Sequence, residues 1–120
     1  MNIEEFRDHC IAKAGVTEGF PFDEKTLVFK VMNKMFAVCD MDSFVSFNAK
    51  CDPERAATLR GQYEGIKPGW HMNKQHWNTI LTDGSVPHSL MLELIDHSYE
   101  LIVSSLPKRD REALKKLMKE

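Results

Sequence analysis

The sequence predicts an α+β domain, one antiparallel β-sheet flanked by helices in the order α-β-β-β-α-β-β-α-α. Three observations carry this. Strand-type alternation fills much of 26–50 and returns at 76–82, helix-type periodicity brackets both blocks, and the turns inside the first block are too short for parallel crossovers.

Residues 3–14 predict an amphipathic helix. Ile3, Phe6, Cys10, Ile11 and Ala14 form one stripe, Glu4, Glu5 and Asp8 lie opposite, and Gly15 is a stop. The early acids also suit the positive end of the helix dipole. Three strands follow at 26–31 (TLVFKV), 35–39 (MFAVC) and 44–50 (FVSFNAK), the last with Val45, Phe47 and Ala49 alternating with Ser46, Asn48 and Lys50. Their connections, Asn33-Lys34 and the DMDS of 40–43, fit consecutive antiparallel pairing.

Asp52-Pro53 marks a helix start, because the carboxylate caps free N–H groups and proline at the first position lacks only a donor that would go unpaired. That helix is expected over 53–60, ending near Gly61. Residues 61–85 break into turns and strands, with 76–82 as a strand closed by Asp83-Gly84. The longest helix, about 87–105, presents Leu90, Met91, Leu94, Ile95, Tyr99, Leu101 and Ile102 to the sheet. Pro107 opens a short basic helix, 107–119, whose apolar side is Leu114, Leu117 and Met118.

At 120 residues the chain makes a single domain over 1–120, and its 42% hydrophobic and 28% charged residues are ordinary for a globular protein. No apolar run reaches the roughly 20 residues that span a bilayer, and MNIEEFRDHC lacks the features of a signal peptide. Cys10, Cys39 and Cys51 are odd in number and form no C-x-x-C pair, which argues against a disulfide framework. With seven methionines, they suit a reducing interior, so a cytoplasmic location is expected. The net charge of −2 excludes a globally basic nucleic-acid binder, although 25–77 hold eight bases against five acids.

The most unusual segment is 65–77, GIKPGWHMNKQHW, with two tryptophans, two histidines and two lysines around a Pro-Gly turn. Lysine neutralises phosphate and aromatic faces stack on bases, so the mixture suits nucleic acid. It equally suits an anionic small molecule with a flat ring, or a structural hairpin whose tryptophans anchor the core. Cys51, His71 and His76 are metal-ligand types without metal-ligand spacing, and the two histidines would point to opposite faces of an extended strand. Cys39, Cys51, His71, His88, His97, Asp83 and Asp96 supply catalytic residue types, but no nucleophile motif accompanies them and Cys10 and Cys39 read as core thiols. No phosphate-cradling glycine loop is present, so neither enzyme activity, cofactor nor metal is expected.

The blocks P-F-D at 21–23, T-L-V-F-K-V at 26–31, K-M-F-A at 34–37, K-C-D-P-E at 50–54, L-R at 59–60, Y-E-G-I-K-P-G-W-H-M-N-K-Q-H-W at 63–77, D-G-S-V-P at 83–87 and S-Y-E-L-I-V at 98–103 come in a characteristic order and spacing. Through them the chain resembles the MmcQ/YjbR family of small bacterial proteins over essentially its whole length. It departs from the family's usual residues at Phe22-Asp23 and Asn33-Lys34, both turn-tolerant pairs.

The resemblance implies a fold similar to the frataxin-like and secretion-chaperone-like folds. It also implies DNA binding by two β-hairpins acting as paired wings. Carried onto this chain, the implied contact residues are Lys67, Trp70, His71, Lys74, His76 and Trp77, with Lys50, Arg55 and Arg60 nearby, and the basic ones are expected to share a face. The partners so expected are DNA or, as in secretion chaperones, another protein. A small molecule beneath the 65–77 hairpin is the further alternative.

Overall fold

A computed structural model describes residues 1–118. Among them the order is α1 (Ile3–Ile11), β1 (Val16–Gly19), β2 (Thr26–Val31), β3 (Lys34–Asp40), β4 (Ser46–Lys50), α2 (Pro53–Gln62), β5 (Ile66–Pro68), β6 (Trp77–Leu81), α3 (His88–Ser105) and α4 (Lys108–Met118). The strands form one sheet ordered β1-β2-β3-β4-β6-β5, every neighbouring pair antiparallel. Four strands therefore precede α2, not the expected three. The additional one, β1, reads VTEG and has no apolar run of its own. It forms because its backbone pairs with β2 and because Arg7 Nε donates to both Glu18 carboxylate oxygens, at 2.8 and 2.9 Å.

Local chemistry accounts for the element ends. Asn2 accepts from the Glu5 N–H at 2.8 Å while the Glu5 carboxylate accepts from the Asn2 N–H, a capping box that starts α1. The helix stops at Ile11, short of the expected Ala14, as the chain turns toward Gly15 at φ +72°. Only Phe6 and Cys10 of the expected stripe are buried within α1, and Ile11 is exposed.

Asp52 caps α2 as expected, with Pro53 first in the helix, but the helix runs through Gly61 to Gln62. β4 starts at Ser46 rather than residue 44, since Phe44 turns at φ +23° and leaves Val45 exposed. Pro87 is the cap of α3, not its first turn. In α4 only Leu114 is buried; Leu117 and Met118 are exposed, and residue 119 of the expected helix lies outside the described residues.

The β2–β3 connection is Met32-Asn33, one residue earlier than the expected Asn33-Lys34 pair. Both residues have positive φ, +48° and +69°, the signature of a tight turn whose twist matches the flanking strands.

Strand alternation assigns the two faces of the sheet. Leu27, Cys39, Phe47 and Ile80 lie in one row, Phe29, Ala37, Ala49 and Asn78 in the next, and all point toward the helices. Phe6 meets Phe29, Phe44 and Phe47 with ring centroids 4.9–5.5 Å apart, forming the aromatic centre of this core. Cys10, Cys39 and Cys51 are all buried there, and burial raises the Cys39 and Cys51 thiols to about 12 and about 11.

The helix α3 is pinned by fully buried Ser98, whose hydroxyl donates to the Phe36 carbonyl at 2.6 Å and accepts from the Lys50 N–H at 2.9 Å. Between α1 and α3, His9 Nε2 lies 2.7 Å from Asp96 Oδ1, and Lys13 Nζ bonds the same oxygen. No helix among the described residues is long and apolar enough to cross a membrane.

Glycine tolerates positive φ better than asparagine, so Asn33→Gly should stabilise the fold by up to about 1 kcal/mol, read as a higher urea midpoint at unchanged slope. Partial burial acts to raise the Asp96 carboxyl, but hydrogen bonds from Lys13 and His9 outweigh it and hold the group below its ordinary 3.8. A carboxyl depressed on folding stabilises the protein above its unfolded pKa and loses that contribution as pH falls through its folded pKa. Asp96→Asn should therefore lower the urea midpoint at about pH 6, and the gap from the parent chain should shrink toward about pH 3.

Candidate functional site

Because the helices α1, α2 and α3 all pack on one side of the sheet, its other side is left to connecting segments. The residues there follow from register. Val28, Val38, Asn48 and Thr79 form one row, Lys50 and Trp77 pair in another, and Lys67 stands beside Thr79. The β1–β2 connection brings Phe22 to this face from one side and the β5–β6 connection brings Trp70, His71 and Met72 from the other. Between them lies a cleft of about 570 Å³ with Met35, Val38 and Asn48 in its lining.

The β5–β6 connection is held by its own residues. Gly69 N–H donates to the Trp77 carbonyl at 2.8 Å, and a Cβ at Gly69 would come within 2.7 Å of the Trp77 Cβ and 2.9 Å of its carbonyl oxygen, so only glycine fits against that strand. Lys74 Nζ donates to the Gly69 carbonyl at 2.9 Å, and Arg60 Nη1 donates to the Lys74 carbonyl at 2.9 Å and to Asn78 Oδ1 at 3.0 Å. The Asn73 carboxamide accepts from the Gln75 and His76 N–H groups, and the His76 carbonyl accepts from Cys51 N–H at 2.8 Å.

These bonds leave Trp70 outside. Its N–H donates to Thr79 Oγ1 at 3.0 Å, its carbonyl accepts from Asn48 Nδ2 at 3.2 Å, and Thr79 Oγ1 donates onward to Asn48 Oδ1. Both backbone groups of Trp70 are thus tied to the floor of the cleft while its indole is 70% exposed. His71, at φ +60°, stacks on that indole with centroids 4.8 Å apart and planes 27° off parallel. The two rings make a flat aromatic platform at the rim.

The nine residues singled out by sequence therefore separate. Trp70 and His71 form the platform, and Lys50 and Lys67 flank it on the open face. Trp77, only 8% exposed, fills the space beneath the connection, and Lys74, His76 and Arg60 brace the connection through the bonds above. Arg55 joins none of these. It lies on α2, on the helical side of the sheet, where its Nη2 donates to Glu93 of α3 at 2.7 Å. The expectation that the basic residues share one face holds for Lys50 and Lys67 and not for Arg55 or Arg60, because α2 packs on the opposite side.

Sequence reasoning passed over Phe22, Met35, Val38, Asn48, Thr79 and Asp40, which complete the cleft. The alternation of 44–50 carried the signal for Asn48, since a residue between the core-facing Phe47 and Ala49 must point the other way.

Comparison with known proteins agrees with this architecture. The YjbR family model matches residues 11–101. YjbR of Escherichia coli K12 is 36% identical over 118 residues, spanning 98% of this chain and all of that one. YyaQ of Bacillus subtilis is 41% identical over 116 residues, spanning 84% and 98% of the two chains. The crystal structure of the Deinococcus radiodurans protein DR2400, a DUF419 domain, superposes with a TM-score of 0.89 at 38% identity, covering 95% of this chain and 88% of that one. A Pseudomonas syringae protein superposes at 0.71 with 27% identity, over 84% and 98%. With the six-stranded antiparallel sheet, the four helices and these relatives in agreement, the chain belongs to the YjbR family.

Proposed function

We propose that the chain is a non-catalytic nucleic-acid-binding protein that takes single-stranded DNA, or a locally unpaired stretch of it, on the open face of its sheet. The observation that carries the reading is the Trp70–His71 platform, an exposed pair of stacked rings held in place over a cleft. Bases stack on such surfaces whatever their sequence, and each stack contributes about 1–3 kcal/mol. Lys50 and Lys67 supply positive charge on the same face, and no acid among the described residues pairs with either within 4.0 Å. The hairpins β2–β3 and β5–β6, both bordering the cleft, are the candidates for the paired wings that the family resemblance implies. A cytoplasmic setting goes with this reading.

A second reading is a small molecule with a flat ring, or an apolar peptide side chain, held in the cleft. It is favoured by the lining itself, in which Phe22 and Val45 are 68% and 63% exposed and Asp40 is the one acid.

Fluorescence anisotropy of labelled single-stranded and duplex DNA, at about 50 and 200 mM salt, separates the two. The expected result is micromolar or tighter binding that favours the single strand and weakens with salt. Trp70→Ala should reduce affinity about tenfold, and the Lys50→Ala/Lys67→Ala pair should flatten the salt dependence by about 1.4 in log–log slope. No binding at the lower salt, or a Trp70→Ala variant that binds like the parent, would sink the nucleic-acid reading.

A further inference from the structure

The cleft contains a carboxylate where a surface for polyanions would be expected to have none. Asp40 ends β3, pairs with Thr26 across the sheet and lines the cleft. Its Oδ1 accepts from the Asp42 N–H at 2.8 Å and the Ser43 N–H at 3.2 Å, which fixes the group's position. Among the described residues no cation pairs with it within 4.0 Å, since the neighbouring Lys25 reaches Asp42 instead, at 3.6 Å. Oδ2 is free to accept.

We infer that Asp40 makes this face selective for guanine in a single strand. The inference rests on the nucleic-acid reading above and names the base that the cleft prefers. A fixed carboxylate repels phosphate, so the backbone of a bound strand must run elsewhere. Lys67 stands three strands from Asp40 in the order β3-β4-β6-β5 and two residues off its row along the strands, roughly 16 Å away at ~4.8 Å per strand and ~3.4 Å per residue. A nucleotide whose phosphate lies toward Lys67 then directs its base across the cleft, between Phe22 and the Trp70–His71 platform, with its Watson–Crick edge toward Asp40.

The edge presented decides the outcome. Guanine carries two adjacent donors there, N1–H and the 2-amino group, and these can converge on the two lone pairs that Asp40 Oδ2 has free while Oδ1 stays with the turn. Adenine and cytosine offer one amino group beside a ring acceptor. Thymine offers one N–H between two carbonyl oxygens, which a carboxylate repels. Guanine is therefore preferred and thymine disfavoured, with adenine and cytosine between them.

The test uses the full chain and three labelled single-stranded hexamers: all thymidine, one with a single central guanine, and one with hypoxanthine there, which lacks the 2-amino donor. The guanine hexamer should bind about tenfold more tightly than the thymidine one, with hypoxanthine intermediate. Asp40→Asn retains an oxygen for the turn N–H groups but removes the charge, and should bring the three affinities together; an unchanged thermal midpoint would verify its fold. Equal affinities for the parent chain, or a guanine preference that survives in Asp40→Asn, would overturn the role of Asp40 while the nucleic-acid reading stood. Failure of every hexamer to bind would overturn both.

Discussion

The rest of the structure depends on a sheet covered by helices on one side only. The core-facing rows, Leu27 to Ile80 and Phe29 to Asn78, fill the space beneath α1 and α3. The Ser98 hydroxyl, set between the Phe36 carbonyl and the Lys50 N–H, joins α3 to the two central strands where a direct backbone bond would otherwise form. A buried hydroxyl with both roles satisfied is strongly directional, so it fixes where α3 lies as well as that it packs. Once that side is closed, the opposite side must be covered by whatever the connections provide. Val28 and Val38 on that side are still only 1% and 8% exposed. The segments around Phe22 and Trp70 supply part of that cover and, in doing so, form the walls of the cleft.

How far the sequence revealed this depends on the range of the interactions involved. The α2 start was legible because Asp52, Pro53 and the N–H groups they serve are neighbours in the chain. α3 was legible because its apolar periodicity is long and strong. β1 was not, since Val16 and Thr17 are followed by an acid and a glycine and make too short a run to read as a strand until β2 offers an edge and Glu18 finds Arg7.

The tryptophans illustrate the same limit. Trp70 and Trp77 sit seven residues apart in one conspicuous segment, yet one is 70% and the other 8% exposed. The difference arises from Gly69, which lets the connection lie close against the Trp77 backbone and Cβ, and from Thr79 and Asn48, which hold Trp70 at the rim. Composition marked the segment and could not divide it into platform and scaffold.

The cations divide by the same logic. A guanidinium near a carboxylate or a carbonyl is drawn into structure whatever its neighbours in sequence suggest. Arg55 meets Glu93 because α2 and α3 share the helical layer, and Arg60 meets the Lys74 carbonyl because the β5–β6 connection passes over the end of α2. Lys74 in turn spends its ammonium on the Gly69 carbonyl. The positive charge left for the open face is thus smaller than the count of bases in 25–77 implies, and aromatic stacking and shape must carry more of any binding there than electrostatics.

An exposed indole adds little to folding, because its apolar surface stays in water. The bonds that surround Trp70 therefore stabilise a position more than they bury a side chain. Its backbone N–H and carbonyl are both engaged, its neighbour Gly69 is bonded at both ends, and His71 is held at a positive φ that an unrestrained histidine rarely adopts. Ordering a flexible aromatic loop at the moment of binding would cost on the order of 0.5–1.5 kcal/mol for each immobilised side chain. Here much of that ordering is completed during folding, at the expense of local backbone strain. A fold that accepts this arrangement at one connection, and covers its other side with a conventional core, concentrates its departures from best packing on the face where a ligand can use them.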